Sequence, residues 1–306
     1  GQRDVLRQKG TNPHVLILTA TPIPRTVAMT VFGDVDVSTI RGVPEGRQPI
    51  STHVVSLSEH PDWFGRVWSR AEEEIAQGRQ VFVVCSAIDK ADADPDASED
   101  DVPVTGVEEL AAQLRTHPQL GARRIGIVHG RLDSDEKDRV MTQFQNGELD
   151  VLVATTVIEV GVDVPQASTM IVMDADRFGI SQLHQLRGRV GRGELPGVCL
   201  LVTHVHPETV ARQRLDAVAS TTDGFELARI DMELRREGDV LGSSQSGGRS
   251  GLKLLRVSTD GDLIEAARHQ ARDLLDDSAD LSQYPSLQRA VDELLAGQEA
   301  DYLDRS

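Results

Sequence analysis

The sequence predicts an α/β protein. It reads as a mainly parallel sheet with helices on both faces, followed by a mainly helical C-terminal region with a helical hairpin. Three observations carry this. Short apolar runs recur up to about residue 203, and each is apolar on both faces, as strands buried under helices on both sides must be. Helical patterns alternate with them, which favours parallel pairing through crossovers. After about residue 206 the alternation stops and only helical patterns remain.

Taken in order, residues 14–18 (His-Val-Leu-Ile-Leu) read as a short buried strand. The two prolines of Thr19-Ala20-Thr21-Pro22-Ile23-Pro24 forbid its continuation and make a loop. Residues 63–77 read as a helix stopped by Gly78. Then come strand 81–85, helix 106–115, strand 124–128 and helix 134–145, the last with Ser134 as its cap. Strands 151–154 and 169–173, helix 181–190 and strand 198–203 follow. Residues 207–219, 224–235 and 260–275 read as helices. Between the last two, residues 238–248 are rich in Gly and Ser and read as a loop. Residues 89–105 break the rhythm: they are short of apolar residues and crowded with like charge, as a disordered insertion between a strand and its helix would be. Asp92, Asp94 and Asp96 alternate as in a cation loop, but the Gly and closing Glu such a loop needs are not at their offsets. No internal repeat is present.

The chain has 306 residues, 39% of them hydrophobic, enough for one large or two ordinary cores. It has no run of about 18 apolar residues and opens on Gly1-Gln2-Arg3-Asp4, so neither a membrane span nor a signal peptide is expected. The start without Met leads us to expect a piece of a longer, cytoplasmic protein. Cys85 and Cys199 sit in apolar runs and read as buried free thiols. The net charge of −17 argues, taken whole, against nucleic acid. Its distribution does not: residues 177–256 hold twelve Lys and Arg against nine Asp and Glu, a balance of +3, which leaves −20 elsewhere.

The segment Gln185-Leu186-Arg187-Gly188-Arg189-Val190-Gly191-Arg192 carries the clearest chemistry. Continued as a helix at about 100° per residue, it brings Gln185, Arg189 and Arg192 within about 60° of one another. Leu183, Leu186 and Val190 share a different, sheet-facing side. Gly188 and Gly191 each weaken a helix by about 1 kcal/mol relative to Ala, which makes sense where a backbone or ligand comes close. Guanidiniums suit phosphate oxygens because their planar fork gives paired, charge-assisted bonds. A solvated basic face is the plainer alternative, and it leaves the glycines unexplained. Residues 155–163 follow a strand, at the end where open parallel sheets bind ligands. Hydroxyls and amides there can hold phosphates, and a carboxylate can accept from a ribose hydroxyl. An ordinary connection capped by Thr155 or Thr156 explains that stretch as well. The same holds for Thr19-Ala20-Thr21 and His129-Gly130-Arg131. All four segments are expected on one edge of the sheet.

These four segments, in order and spacing, resemble motifs III to VI of the superfamily 2 helicases. The spelling Thr-Ala-Thr-Pro-Ile-Pro-Arg-Thr at 19–26 is narrower and resembles the RecG family, with the transcription-repair coupling factors second. Residues 214–218, 223–225, 231–235 and 241–247 resemble the translocation motif those two share. The short link from Ser220 to Phe225 is similar to RecG. Arg236-Glu237-Gly238 and Ser244 depart from the family pattern, which has a Gly-rich turn and a basic residue there; both would soften the grip on DNA.

The resemblance implies the following. Residues 1–50 would close a first RecA-like motor domain, 51–205 would form the second, and 206–306 the translocation hairpin and a helical region. No Gly-x-x-x-x-Gly-Lys-Ser/Thr occurs, and Asp292-Glu293 lies on an apparent tail helix rather than a strand. The phosphate cradle and magnesium site would therefore belong to the chain's own first motor domain, with a wedge domain further upstream. ATP and Mg²⁺ would be cofactors of the whole protein, with none bound by this chain alone. Arg189 and Arg192 would be arginine fingers positioned by Gln185. Gly161 and Asp163 would meet the nucleotide. Thr21, His129, Arg131, Thr155, Arg214, Arg235 and Gln245 would meet DNA. No metal-ligand set is expected. The partner would be branched or forked DNA in a bacterial, nucleoid-associated repair and recombination helicase, with no membrane. A binding module without motor activity, and an RNA helicase of the same superfamily, are the alternatives.

Overall fold

A computed structural model describes Leu16, Ser38 and residues 48–89, 104–156, 164–193, 195–241, 261–277 and 281–293. The chain divides into two compact units, residues 1–23 with 39–244, and residues 24–38 with 245–306. The expected strand 14–18 and most of the acidic stretch 89–105 fall outside the described residues.

The first unit holds a six-stranded sheet of β1 (Ile50–Ser56), β2 (Gln80–Val84), β3 (Ile125–Val128), β4 (Val151–Ala154), β5 (Ala167–Val172) and β6 (Gly197–Thr203). Its order is β1-β6-β5-β2-β4-β3, and every neighbouring pair is parallel. Helices α1 (Trp63–Ala76), α2 (Val107–Thr116), α3 (Ser134–Gln145), α4 (Ile180–Arg187), α5 (Val210–Ser220) and α6 (Gly224–Leu241) belong to the same unit. The second unit contains α7 (Gly261–Asp277). The α/β class and parallel sheet are as expected.

Alternation along each strand explains why the strands are apolar throughout. Val81, Val83, Val151, Val153 and Ile171 pack with Val67, Trp68 and Ala71 of α1 and Leu110 and Leu114 of α2. Their neighbours Phe82, Val84, Leu152, Met170 and Val172 pack on the other face with Phe144, Leu183, Leu186 and Leu215. Each such fully buried side chain contributes about 1.5–3 kcal/mol.

Two polar ties fix elements to the sheet. Gln80 Nε2 donates to the carbonyls of Phe144 at 2.6 Å and Leu149 at 2.7 Å, fastening the end of α3 to β2. Glu74 of α1 is 1% exposed. It accepts the Ser168 hydroxyl at 2.6 Å and pairs with Arg79 at 2.7 Å and with Arg70. Burial pushes the Glu74 carboxyl up, but Ser168, Arg79 and Arg70 together outweigh it and hold the group below its ordinary range.

Four expectations need correction. Strand β1 was not foreseen, because Ile-Ser-Thr-His-Val-Val-Ser mixes polar with apolar residues, as suits an edge strand. The cap of α3 is Asp133, whose side chain accepts from Glu136 N at 2.8 Å; Ser134 is already helical. Helix α6 continues past residue 235 to Leu241 through Gly238, which a helix tolerates at a cost of about 1 kcal/mol. Helix α4 stops at Arg187, with Gly188 as its C-cap, and does not reach residue 190.

Candidate functional site

The carboxyl ends of the four central-to-edge strands are level. Val84 pairs with Ala154, and Ala154 with Val128, while Val84 also pairs with Val172. The next residues continue the ladder: Cys85 N donates to Ala154 O at 2.9 Å, Thr155 N to Val128 O at 3.2 Å and Met173 N to Val84 O at 2.8 Å. His129, Thr155 and Asp174 therefore share this edge, and all three are buried.

His129 Nε2 lies 2.8 Å from Glu108 Oε1, and its Nδ1 accepts from Arg131 N at 3.3 Å. Arg131 is paired with Asp89, and Lys137 Nζ donates to Gly130 O at 3.1 Å. Asp174 adopts a left-handed backbone, φ 47°, rare outside glycine though least so for Asn and Asp. Its Oδ2 accepts Thr105 N at 2.7 Å, which ties the return of the 89–105 segment to this edge. Asp174 and Glu108 were missed by sequence reasoning. The signal for Asp174 was an Asp just past a strand; Glu108 looked like an ordinary first-turn helix acid.

The arginine segment does not lie on this edge. A crossover helix that leaves the carboxyl end of β5 must return to the amino end of the next strand. The turn after α4 accordingly sits beside the starts of β1, β5 and β6. A Cβ on Gly191 would lie 3.0 Å from Ile50 Cγ1 and 3.5 Å from Gln48 O, and one on Gly193 would lie 2.7 Å from Pro165 O. Gly191 also has φ +66°, open to glycine without strain. The expectation of one shared edge is thus corrected to two: His129 and Thr155 at the carboxyl end, the arginine turn at the amino end.

Gln185, Arg189 and Arg192 do not share one helix face, because α4 ends at Arg187. Gln185 is on α4, but Arg189 follows the C-cap, its N–H donating to Leu186 O at 2.9 Å. Arg192 lies beyond the left-handed Gly191, and its Nε donates back to Gly188 O at 3.1 Å. The two arginines flank the left-handed Gly191 beyond the end of the helix.

Arg187 was assigned to no face, yet it is the buried cation of the segment, 2% exposed. Its Nη1 donates to Val218 O at 2.5 Å and Thr221 O at 2.9 Å, and its Nη2 lies 2.7 Å from His184 Nδ1. It fastens the end of α4 to the end of α5, just before α6 begins. Arg214 is half-buried on α5, and Arg235 lies on α6. Thr21, Gly161, Asp163 and Gln245 lie outside the described residues. Among the described residues no group of three or more His, Cys, Asp or Glu could hold a metal ion, and no helix is long and apolar enough to cross a membrane.

Comparison with known proteins agrees with the described architecture. The helicase conserved C-terminal domain matches residues 67–194, and the C-terminal part of domain 3 of the ATP-dependent DNA helicase RecG matches residues 221–295. The chain is 51% identical over 308 residues to the ATP-dependent DNA helicase RecG of Mycobacterium bovis, covering 100% of this chain and 41% of that protein. It is 53% identical over 270 residues to that of Mycobacterium leprae, covering 87% and 36%. A solved structure of RecG bound to a three-way DNA junction matches with a TM-score of 0.61 at 38% identity, over 84% of this chain and 31% of that one. The chain spans about two fifths of the length of these curated relatives. With identity of this extent along its whole length and both matches in their expected order, the chain belongs to the RecG family, as its helicase C-terminal domain followed by the C-terminal part of domain 3.

Proposed function

We propose that this chain is the second motor domain and translocation hairpin of an ATP-dependent helicase that acts on branched DNA such as stalled forks and Holliday junctions. In this reading ATP and Mg²⁺ are held mainly by a first RecA-like domain. The chain contributes Arg189 and Arg192 as arginine fingers with Gln185 beside them, while Gly161 and Asp163 meet the nucleotide. A finger of this kind neutralises charge on the transferring phosphoryl oxygens and raises turnover by on the order of 10³–10⁵. The turn His129-Gly130-Arg131, through Arg131, and Thr155 meet the DNA backbone, and Thr21, Arg214, Arg235 and Gln245 are further DNA contacts in this reading. Phosphate contacts of this type carry little sequence information and weaken with salt.

The observation that carries the reading is the division of the sheet into two edges. It supports an assignment of nucleotide chemistry to the arginine turn and of backbone contact to the His-Gly-Arg turn. Arg187 supports a mechanical link, because it ties the arginine turn to the helices that lead into the hairpin. The whole protein is then a cytoplasmic, nucleoid-associated motor, and this chain by itself does not turn ATP over.

The test is DNA-stimulated ATP hydrolysis by the whole protein. Arg189→Ala or Arg192→Ala lowers turnover at least about 10³-fold and leaves ATP binding largely intact. Turnover near wild type in both variants, or hydrolysis by the 306-residue chain alone that Arg189→Ala abolishes, overturns the reading.

A further inference from the structure

We propose that His129 is a positioning residue that does not touch the nucleic acid: Glu108 holds its ring, and the ring shapes the His-Gly-Arg turn that presents Arg131 to a backbone phosphate. The inference rests on the reading of the carboxyl edge as the DNA-facing one.

The Arg131 backbone N–H can only donate, so His129 Nδ1, 3.3 Å away, is the acceptor. The proton of a neutral ring must then sit on Nε2, where it faces Glu108 Oε1 at 2.8 Å and is donated to that carboxylate. A second proton on Nδ1 would set two donors against each other. Both ring nitrogens are therefore committed inside the chain, and the side chain is only 6% exposed. It has neither the free nitrogen nor the surface to serve a phosphate.

What the ring does instead is local. A side-chain acceptor bonded to the N–H two residues on closes a tight turn, as Asn and Asp do in Asx-turns. The closed turn carries Gly130 O, which accepts from Lys137 Nζ at 3.1 Å. It also sets the backbone from which the Arg131 side chain, 54% exposed and paired with Asp89, projects, so that a phosphate would compete with that carboxylate for the guanidinium. Glu108 is half-exposed in the first turn of α2, so its replacement does not open the core.

The charge of Glu108 makes the idea testable by sign. It is a carboxylate on the edge that would meet DNA. Electrostatics alone has its removal strengthen DNA binding; loss of a positioning bond weakens it. The experiment uses the 306-residue chain, a forked DNA probe read by fluorescence anisotropy, and ¹⁵N NMR of the histidine ring nitrogens. Glu108→Ala should weaken fork binding about tenfold, the scale of one lost hydrogen bond to a charged group. Glu108→Gln, whose Oε1 still accepts from Nε2–H, should stay within about twofold of wild type. The wild-type ring should show an acceptor-type Nδ1 and a protonated Nε2. Arg131→Ala should weaken binding and flatten the salt dependence by about one counterion.

Tighter binding by Glu108→Ala, a Gln variant as weak as the Ala variant, or a proton found on Nδ1 overturns the inference. If Arg131→Ala weakens binding while Glu108→Ala does not, only the positioning role fails. If Arg131→Ala leaves fork affinity unchanged, the DNA reading of this edge fails with it.

Discussion

Arg187 donates to the Val218 carbonyl at 2.5 Å from a side chain that is almost wholly buried, so a single cation joins the last turn of α4 to the last turn of α5. The same nitrogen reaches Thr221 O at 2.9 Å. Removing the guanidinium orphans carbonyls that have little access to water, and hydrogen bonds to charged groups are the stronger kind. Arg187→Ala should lower unfolding stability by about 2–4 kcal/mol. Arg187→Lys should recover less than half of this, because an ammonium lacks the planar fork. Denaturant unfolding with an unchanged slope would measure it. A midpoint within error of wild type for the Ala variant would remove Arg187 from this role.

Gly191→Ala should act on the arginine turn directly. The residue has φ +66°, and a methyl group there meets Ile50 Cγ1 at 3.0 Å. Positive φ disfavours Ala by about 1 kcal/mol, and the contact adds to it. Thermal melts should show a lower midpoint. In the whole protein, ATP turnover should fall further than stability alone explains, since Arg192 follows the turn. Unchanged melting and turnover would mean the turn has more freedom than its backbone shows.

The Glu74 cluster predicts an acid-sensitive fold. Its carboxyl titrates below the 4.5 usual for glutamate, so the folded chain binds that proton more weakly than the unfolded one. The stability it adds is complete above about pH 4.5 and is lost as pH falls through the lower folded value. Asp150, whose burial is outweighed by its bonds to the Arg124 side chain and backbone, acts in the same direction. Glu74→Gln should flatten the fall of stability between about pH 5 and pH 3. Parallel curves for wild type and variant would exclude Glu74 as a source.

Both cysteines should be silent to thiol reagents. Burial pushes the Cys85 thiol up, with the Asp174 carboxylate adding to it. Burial pushes Cys199 up to about 12 against an opposing pull from Arg187. The thiolate is the reactive form, so at pH 8 neither should be labelled in the folded chain and both should be labelled in denaturant. Labelling of either before unfolding would mean that its strand opens.

Much of the fold was legible because each buried strand announces itself as an apolar run. Helix α1 and strands β4 and β6 fall within a residue or two of their expected bounds. Strand β1 was not legible, because an edge strand need not be apolar on both faces. The candidate site segments were legible as motifs, but their placement was misread. Glycines 188 and 191 were read as notches in a helix, whereas Gly188 ends the helix and Gly191 turns the chain left-handed. The single shared edge could have been rejected from connectivity alone, since a helix between parallel strands must carry its end to the opposite edge. Arg187 stayed hidden because a guanidinium buried against carbonyls spells the same as one in solvent.

The pairing of Ile50 with Gly197 and of Ser56 with Thr203 makes the first strand of the sheet wait for the last. During synthesis β1 emerges before the other five strands, yet among the described residues its partner in the sheet is β6. Until that strand leaves the ribosome, Val55 can pack only against the following helix, through Val67 and Trp68, and the strand itself stays unpaired, while the loop to be closed spans the rest of the sheet. Parallel sheets of this connectivity are slow to complete and exposed to mispairing while they do so. A chain cut before Thr203 would therefore lose more than one strand. It would leave β1 unplaced and the flank of β5 open, so the boundary at which a stable piece can be expressed lies beyond β6.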